Sequence, residues 1–514
     1  MSKTYDILII GGGHNGLTAA IVLAKKNKRV LVLEKRPVVG GLAAGEEFHP
    51  GYFTNGLLHD TSEVNLQVLR KLQLENFGLK WQSAAPTVAL LSKQGECVKL
   101  SHDAEETATE IARFSAKDAQ AYREYISFLA SIRPFIANLL TDFPPDLTAF
   151  GRRQLWTLLK KSLALRLLGK KTMLELLKVA PMCVADFLNE KFETGFIKAG
   201  IAAPALYGSF TGPWSSYTTL NLLMHECRSA SNIVGGPQAL INALTKAAEN
   251  AGVEIRTNNA VQEILLDENH SVNGVRLSTD EVIQAPIVAA SCTPQTTFFN
   301  LIQPAQLNYT LEHAVQHYRS RGTTAKLHLA LNKPVAFNGV GGLEFYRTGN
   351  SFDEMERAFD PVKYGAFSEE PVLDIHVPTV SNTGLAPSGH SVLSVLIHFA
   401  PINLKGGWNE DSKKRLYDIT IKTLEHYSPG ISASIAGAEL LTPADLEQRY
   451  GLTYGHIYHG EHAVDQLITR PFPACANYTT PFKGLYLCGS GSFPGGGITC
   501  MPGYLGAQTI LKHC

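Results

Sequence analysis

The chain has 514 residues, 45% hydrophobic and 18% charged, with Lys+Arg and Asp+Glu equal at 46 each. This length is too great for one simple core, so two domains are expected, and the balanced charge excludes recruitment of nucleic acid by a global field. The eight cysteines have no Cys-x-x-Cys spacing, which argues against a zinc site or a redox-active disulfide and leaves no metal site expected.

The first element is YDILIIG (5–11), an apolar run that ends in glycine. LTAAIVLAKKNK (17–28) is rich in helix formers, and RVLVLEK (29–35) is again apolar and β-branched. Together they predict strand, helix, strand. The joining turn is Gly11-x-Gly13-x-x-Gly16. Its first glycine allows the tight turn, its second leaves room for a pyrophosphate, and its third lets helix and strand pack closely. The helix N-terminus offers free N–H groups to phosphate. Glu34 ends the second strand, where a carboxylate would accept hydrogen bonds from a ribose diol. A second glycine pair, Gly40-Gly41, follows.

Residues 103–200 have mainly helical periodicity. GGPQALINALTKAAENAG (235–252) predicts a helix, and VEIRTNNAVQEILLD, SVNGVRLS and EVIQAPIVAAS predict three strands. Further strand candidates, TTAKLHLAL and HSVLSVLIHFA, lie in 323–400. GLYLCGSGSFPGGGITCMPGYLGAQTILK (484–512) predicts a strand, a glycine-rich loop and a helix with Pro502 in its first turn. Nucleotide-type elements thus stand at the start, middle and end. The expected fold is α/β: a discontinuous Rossmann-like domain of 1–85, 230–295 and 450–514, and an inserted α+β substrate domain of 86–229 and 296–449 with a helical subdomain. The start meets a strand with no cleavable leader, and no apolar stretch reaches the roughly 18 residues that cross a bilayer. A cytoplasmic protein, with membrane association left open, is expected.

The glycine turn, Glu34, Gly40-Gly41, the Pro494-Gly-Gly-Gly497 loop and GHIYHGEHAVDQLITRP (455–471) together resemble the phytoene-desaturase and retinol-saturase-like FAD-dependent oxidoreductases. These have the glutathione-reductase-type, amine-oxidase-like fold, and they include the branch of pyridine nucleotide-disulfide oxidoreductase domain protein 2. The resemblance implies FAD and a cofactor set of Gly11, Gly13, His14, Asn15, Gly16, Glu34, Lys35, Gly40, Gly41, Leu42, Val261, Gly489, Ser490, Gly497 and Ile498. Many members have Arg where this chain has Leu42. Ser490 follows the strand glycine, as fits the phytoene-desaturase branch.

The resemblance also implies hydride transfer between flavin N5 and an apolar substrate such as a carotenoid- or isoprenoid-like polyene, as in C=C desaturation or saturation. It implies a long apolar tunnel with few ionisable groups, and a quinone, oxygen or another carrier as electron acceptor. An amine or amino-acid oxidase, and a flavin-containing interaction protein with little turnover, stay open as alternatives. No catalytic group is evident; His59 and His459 are the candidates. His456, His459 and His462 recur every three residues but among glycines that disfavour a helix. In 152–178, basic residues alternate with Leu and Trp156, a pattern suited to a membrane interface, a solvated helix face or an oligomer contact.

Overall fold

The computed structural model describes residues 4–145, 151–228 and 231–514; the expected domain division at 229–230 falls outside the described residues. Ile7–Ile10 and Val30–Leu33 are buried along their whole length, as strands covered on both faces must be. They form the centre of a five-stranded parallel sheet whose order is Leu485–Leu487, Val288–Ala290, Ile7–Ile10, Val30–Leu33 and Glu254–Arg256. One sheet therefore joins three stretches that are far apart in sequence.

The helix His14–Ala24 is buried at every position. It packs against the last helix, Met501–His513, and against Gly236–Asn250. Two glycines permit these contacts. A methyl group on Gly16 would overlap the Gly11 carbonyl, and one on Gly503 would overlap the Asn15 carbonyl.

The stretch 253–290 holds five strands rather than the three expected. Glu254–Arg256 and Val288–Ala290 belong to the parallel sheet, while Val261–Leu266, Val272–Leu277 and Val282–Gln284 form an antiparallel meander. The first expected strand breaks at Asn258, which has φ 56°, and the last breaks beside Pro286, which has no N–H to donate.

A seven-stranded sheet makes the second layer. Its order is Ile435–Leu441, Thr324–Leu331, Ser391–His398, Leu373–His376, Phe345–Thr348, Val88–Leu91 and Cys97–Leu100. Because side chains alternate along a strand, the register sorts them into two sets. Leu327, Leu329, Ile375, Val395 and Ile397 enter an apolar core with Leu416, Ile419 and Leu424 of the helix Glu410–Tyr427. The alternate positions on these strands are Lys326, His328, Arg347, Asp374, His376, Ser394 and His398. Helices from Ala104 to Arg228, among them Ala116–Thr141 and Thr218–Arg228, gather round a separate core.

Gly16→Ala should destabilise the protein by about 2 kcal/mol, the usual cost of overpacking a closed contact. Urea unfolding followed by far-UV circular dichroism measures it. An unchanged midpoint would contradict the packing described.

Candidate functional site: a dinucleotide cleft and an adjoining ionisable cavity

The opening turn, the second glycine pair and the closing loop converge. Gly13 bridges Gly40, and the Gly40 N–H donates to the Gly12 carbonyl at 2.8 Å. A Cβ on Gly41 would stand 3.3 Å from the Gly13 Cα. The turn is thus held open by two facing glycine segments, which suits a bulky ligand against bare backbone. Asn15 Nδ2 donates to Ser490 Oγ at 3.0 Å, and the Gly503 N–H donates to Asn15 Oδ1 at 3.4 Å. His14 hydrogen-bonds the Gly497 backbone; burial pushes its ring down to about 4, so it is neutral. Its Nε2 is buried without a protein partner.

Glu34 is buried and accepts the Gly12 N–H at 2.8 Å and the Arg36 N–H at 2.9 Å, one on each carboxylate oxygen. Arg36 is fixed in turn by Glu46, by the Gly41 carbonyl and by the ring of Tyr450. The carboxylate is therefore placed rigidly at the end of its strand with lone pairs to spare.

Gly11, Gly13, His14, Asn15, Glu34, Lys35, Gly41, Leu42, Val261 and Ser490 line a single cleft, joined there by His459, Cys292 and Tyr450. Gly16, Gly40 and Gly489 lie beside it rather than on its surface. They are places where chain meets chain: Gly489 abuts the Ser291 carbonyl, and Gly40, at φ 117°, abuts Ile241. Gly497 and Ile498 line the adjoining cavity, which shares Leu58 with the cleft.

The flavin containing amine oxidoreductase family model matches residues 16–503. Pyridine nucleotide-disulfide oxidoreductase domain-containing protein 2 of Rattus norvegicus is 30% identical, covering 100% of this chain and 94% of that protein. The lycopene-forming phytoene desaturase of Pseudescherichia vulneris is 24% identical over 97% of this chain and 96% of its own. A solved putrescine oxidase bound to putrescine superposes with TM-score 0.58 at 14% identity, covering 99% of each chain.

The chain belongs to the flavin-containing amine oxidoreductase family. Its fold is the FAD-binding, amine-oxidase-like α/β fold, and its cofactor is FAD. The cleft suits that group. Its Gly-lined turn leaves the backbone bare, the Glu34 carboxylate waits at the strand end, and the unpartnered His14 and His459 ring nitrogens are buried at its walls.

The three closely spaced histidines diverge. His456 Nδ1 accepts the Tyr458 and Gly460 N–H groups, His462 Nε2 accepts the Gly496 N–H, and His459 turns into the flavin cleft. A residue without an assigned role in the sequence reading, Arg470, holds this loop. It has no exposed surface, and its guanidinium donates to the carbonyls of Tyr458, Gly460, Glu461 and Ser490. Only the fold shows that four carbonyls surround it.

The cavity next to the flavin cleft is not a tunnel with few ionisable groups. His59, Asp60, Glu63, Arg228 and Asp374 line it together with Leu58, Ala205, Tyr207, Leu396 and Ile498. The cause is the strand alternation described above, which gathers the ionisable residues on the sheet face that carries Asp374. Within it Lys326 Nζ lies 3.0 Å from His59 Nδ1, and His59 Nε2 lies 3.2 Å from Asp374 Oδ2. Burial draws Lys326 down to about 7, against the pull of Asp374. Burial, and then Lys326, hold His59 well below its ordinary value. A neutral His59 that receives from Lys326 must carry its proton on Nε2 and donate it to Asp374.

Glu34→Ala removes the acceptor for two backbone N–H groups and for the ribose, so FAD affinity should fall about tenfold to a hundredfold. Titration of the apoprotein with FAD, read by quenching of flavin fluorescence, measures this.

Proposed function

We propose that this FAD-dependent oxidoreductase desaturates or saturates a carbon–carbon bond. In this reading the Lys326–His59–Asp374 chain positions the carboxylate that takes the proton accompanying hydride transfer. The observation that carries the reading is that chain of hydrogen bonds, which opens through His59 and Asp374 onto the cavity beside Gly497. Similarity to a phytoene desaturase supports the choice of bond.

FAD supplies N5, the atom that takes a hydride from carbon or returns one. The protein supplies the rest. Leu58, Pro204, Ala205, Leu396 and Ile498 offer an apolar bed for the carbon skeleton. In dehydrogenation the adjacent carbon loses its proton to the Asp374 carboxylate, which the His59 Nε2–H orients while Lys326 fixes the His59 ring through Nδ1. Substrate hydride and proton are thereby both accounted for, and reversing the step returns a proton in saturation. We assign the cleft-lining residues from Gly11 to Ser490 to FAD binding, with Gly16, Gly40 and Gly489 shaping the backbone and Gly497–Ile498 bordering the reacting side. His459 joins the cofactor wall, leaving His59 as the catalytic histidine.

An amine substrate is less suited to this cavity, because a substrate ammonium would meet Arg228 in its wall and Arg347 in the wall of the adjoining one. Anaerobic mixing distinguishes the readings: conjugated polyenes should reoxidise the dithionite-reduced flavoprotein, and primary amines should leave the oxidised flavin unbleached. Bleaching by amines alone would contradict the proposal.

The chain also has a pH signature. Lys326 faces His59 from the loop, His328 on its own strand, His398 on the adjoining strand, and Asp374 and His376 on the strand beyond that one. Its lowered value means that between pH of about 7 and the free-lysine range the unfolded chain binds more protons than the folded one, so folding gains stability as pH rises through that window. Lys326→Met should therefore be more stable than the wild type at pH 7 by about 2 kcal/mol, with the advantage shrinking by pH 9.5, measured by urea unfolding. A constant difference would count against the buried titration.

We further propose that 152–178 meets a membrane surface. In the helix Arg152–Leu167, Trp156 is 62% exposed and Leu167 77%, with Leu155, Leu159 and Leu163 exposed between them. Lys160, Arg166, Lys170 and Lys171 are exposed alongside; the side chains of Arg152 and Arg153 lie outside the described residues. Exposed apolar residues flanked by cations suit an anionic bilayer interface. No helix among the described residues is long and apolar enough to cross a membrane. Sedimentation with vesicles rich in phosphatidylserine should capture the wild type, and Leu159→Asp with Leu163→Asp should release it; equal capture would contradict the proposal.

A further inference from the structure

We propose that the substrate carries an anionic group, in the simplest case a carboxylate, recognised by Arg228 and Arg347. The inference rests on the oxidoreductase reading of this cavity and narrows its substrate class.

Two adjoining lobes share a wall. Arg228 lines the lobe beside Gly497 and Ile498, and Arg347 lines the other; His59, Asp60, His225 and Asp374 line both. The two guanidinium groups therefore face spaces divided by those four residues.

Neither guanidinium is fully paired. Arg228 donates through Nη2 to Glu63 at 3.1 Å, but that same carboxylate oxygen lies 3.0 Å from His225 Nδ1. Nε and Nη1 of Arg228 are buried without a partner among the described residues, and its side chain is only 11% exposed. Arg347 stands opposite Asp374 in strand register. Asp374, however, turns its Oδ2 to His59. Arg347 is left with the Gly200 carbonyl at 3.5 Å and the ring of Tyr207 at 5.8 Å. Its Nε is buried without a partner, as is the Tyr207 hydroxyl.

A buried guanidinium with unmet N–H groups is costly, and such groups are normally paired. Three unmet guanidinium nitrogens around these two lobes form a donor set, and the planar, forked geometry of arginine matches a carboxylate. The carboxylates present do not reverse this. Glu63 is shared by Arg228 and His225, Asp374 is engaged by His59, and Asp60 accepts the Ser62 N–H. Glu63 also approaches Gly497, where an added Cβ would lie 2.8 Å from its Oε2, so the Arg228 end of the cavity borders the flavin. The apolar bed of Leu58, Leu396 and Ile498 lies in the same lobe. An unsaturated skeleton with an acidic end would satisfy both kinds of wall.

The test uses FAD-loaded protein and three probes of one skeleton: cinnamate, cinnamamide and cinnamylamine. Each is titrated while perturbation of the flavin absorption band is followed. Cinnamate should bind about tenfold more tightly than either of the others, and Arg347→Gln and Arg228→Gln should each remove about tenfold of its affinity while the flavin band persists. Arg347→Lys should restore part of the loss, as a charge without the fork. If the amide or amine binds as tightly as cinnamate, if cinnamate leaves the band unperturbed at millimolar concentration, or if both Gln variants bind it unchanged, the proposal is overturned. Folded wild-type protein that takes up no FAD would instead overturn the reading on which it rests.

Discussion

The docking of the opening turn on the closing loop is the constraint on which the rest of the structure depends. His14 and Asn15 reach Gly497, Ser490 and Gly503 across nearly the whole length of the chain. Because a methyl on Gly503 would overlap the Asn15 carbonyl, the first and last helices must meet through bare backbone. That contact fixes the glycine turn. It also brings the Gly495–Gly497 loop to the boundary between the glycine-lined cleft and the adjoining cavity. Arg470 secures the same boundary from behind by gathering four carbonyls around one buried charge.

The second organising feature is the alternation of the seven-stranded sheet. One face is an ordinary apolar core against the helix Glu410–Tyr427. The other carries Lys326, His328, Arg347, Asp374, His376 and His398 into a buried space. The burial of so many ionisable groups depresses the histidines, and His398 falls to about 4. This hydrogen-bonded sheet face is the observation behind the proposed base and the proposed polar end of the substrate.

The nucleotide-binding elements were legible in the sequence because their chemistry is local. Glycines at fixed spacing, an acid at a strand end and a glycine loop before a helix each require only a few neighbouring residues. The strands of 253–290 were harder, since both sheets draw on one continuous run and a single left-handed residue, Asn258, separates them. The ionisable cavity was not legible, because its residues come from separate strands, from the helix Thr218–Arg228 and from several loops far apart in sequence. The signal was present in fragments: Lys326 and His328 alternate with Leu327 and Leu329, as Asp374 and His376 alternate with Leu373 and Ile375. Each fragment alone reads as a half-buried strand, and only strand pairing turns their polar sides to a common space. Naming His59 as a candidate needed no partner, whereas its partners Lys326 and Asp374 emerge only from that pairing.

The central claim is that the two ends of this chain close on one FAD. The most direct measurement is the visible absorption spectrum of the purified, folded protein, with the chromophore released by heat and identified by mass spectrometry. The account predicts a flavin spectrum and about one FAD per chain. A folded protein that is colourless and takes up no FAD on reconstitution would contradict it.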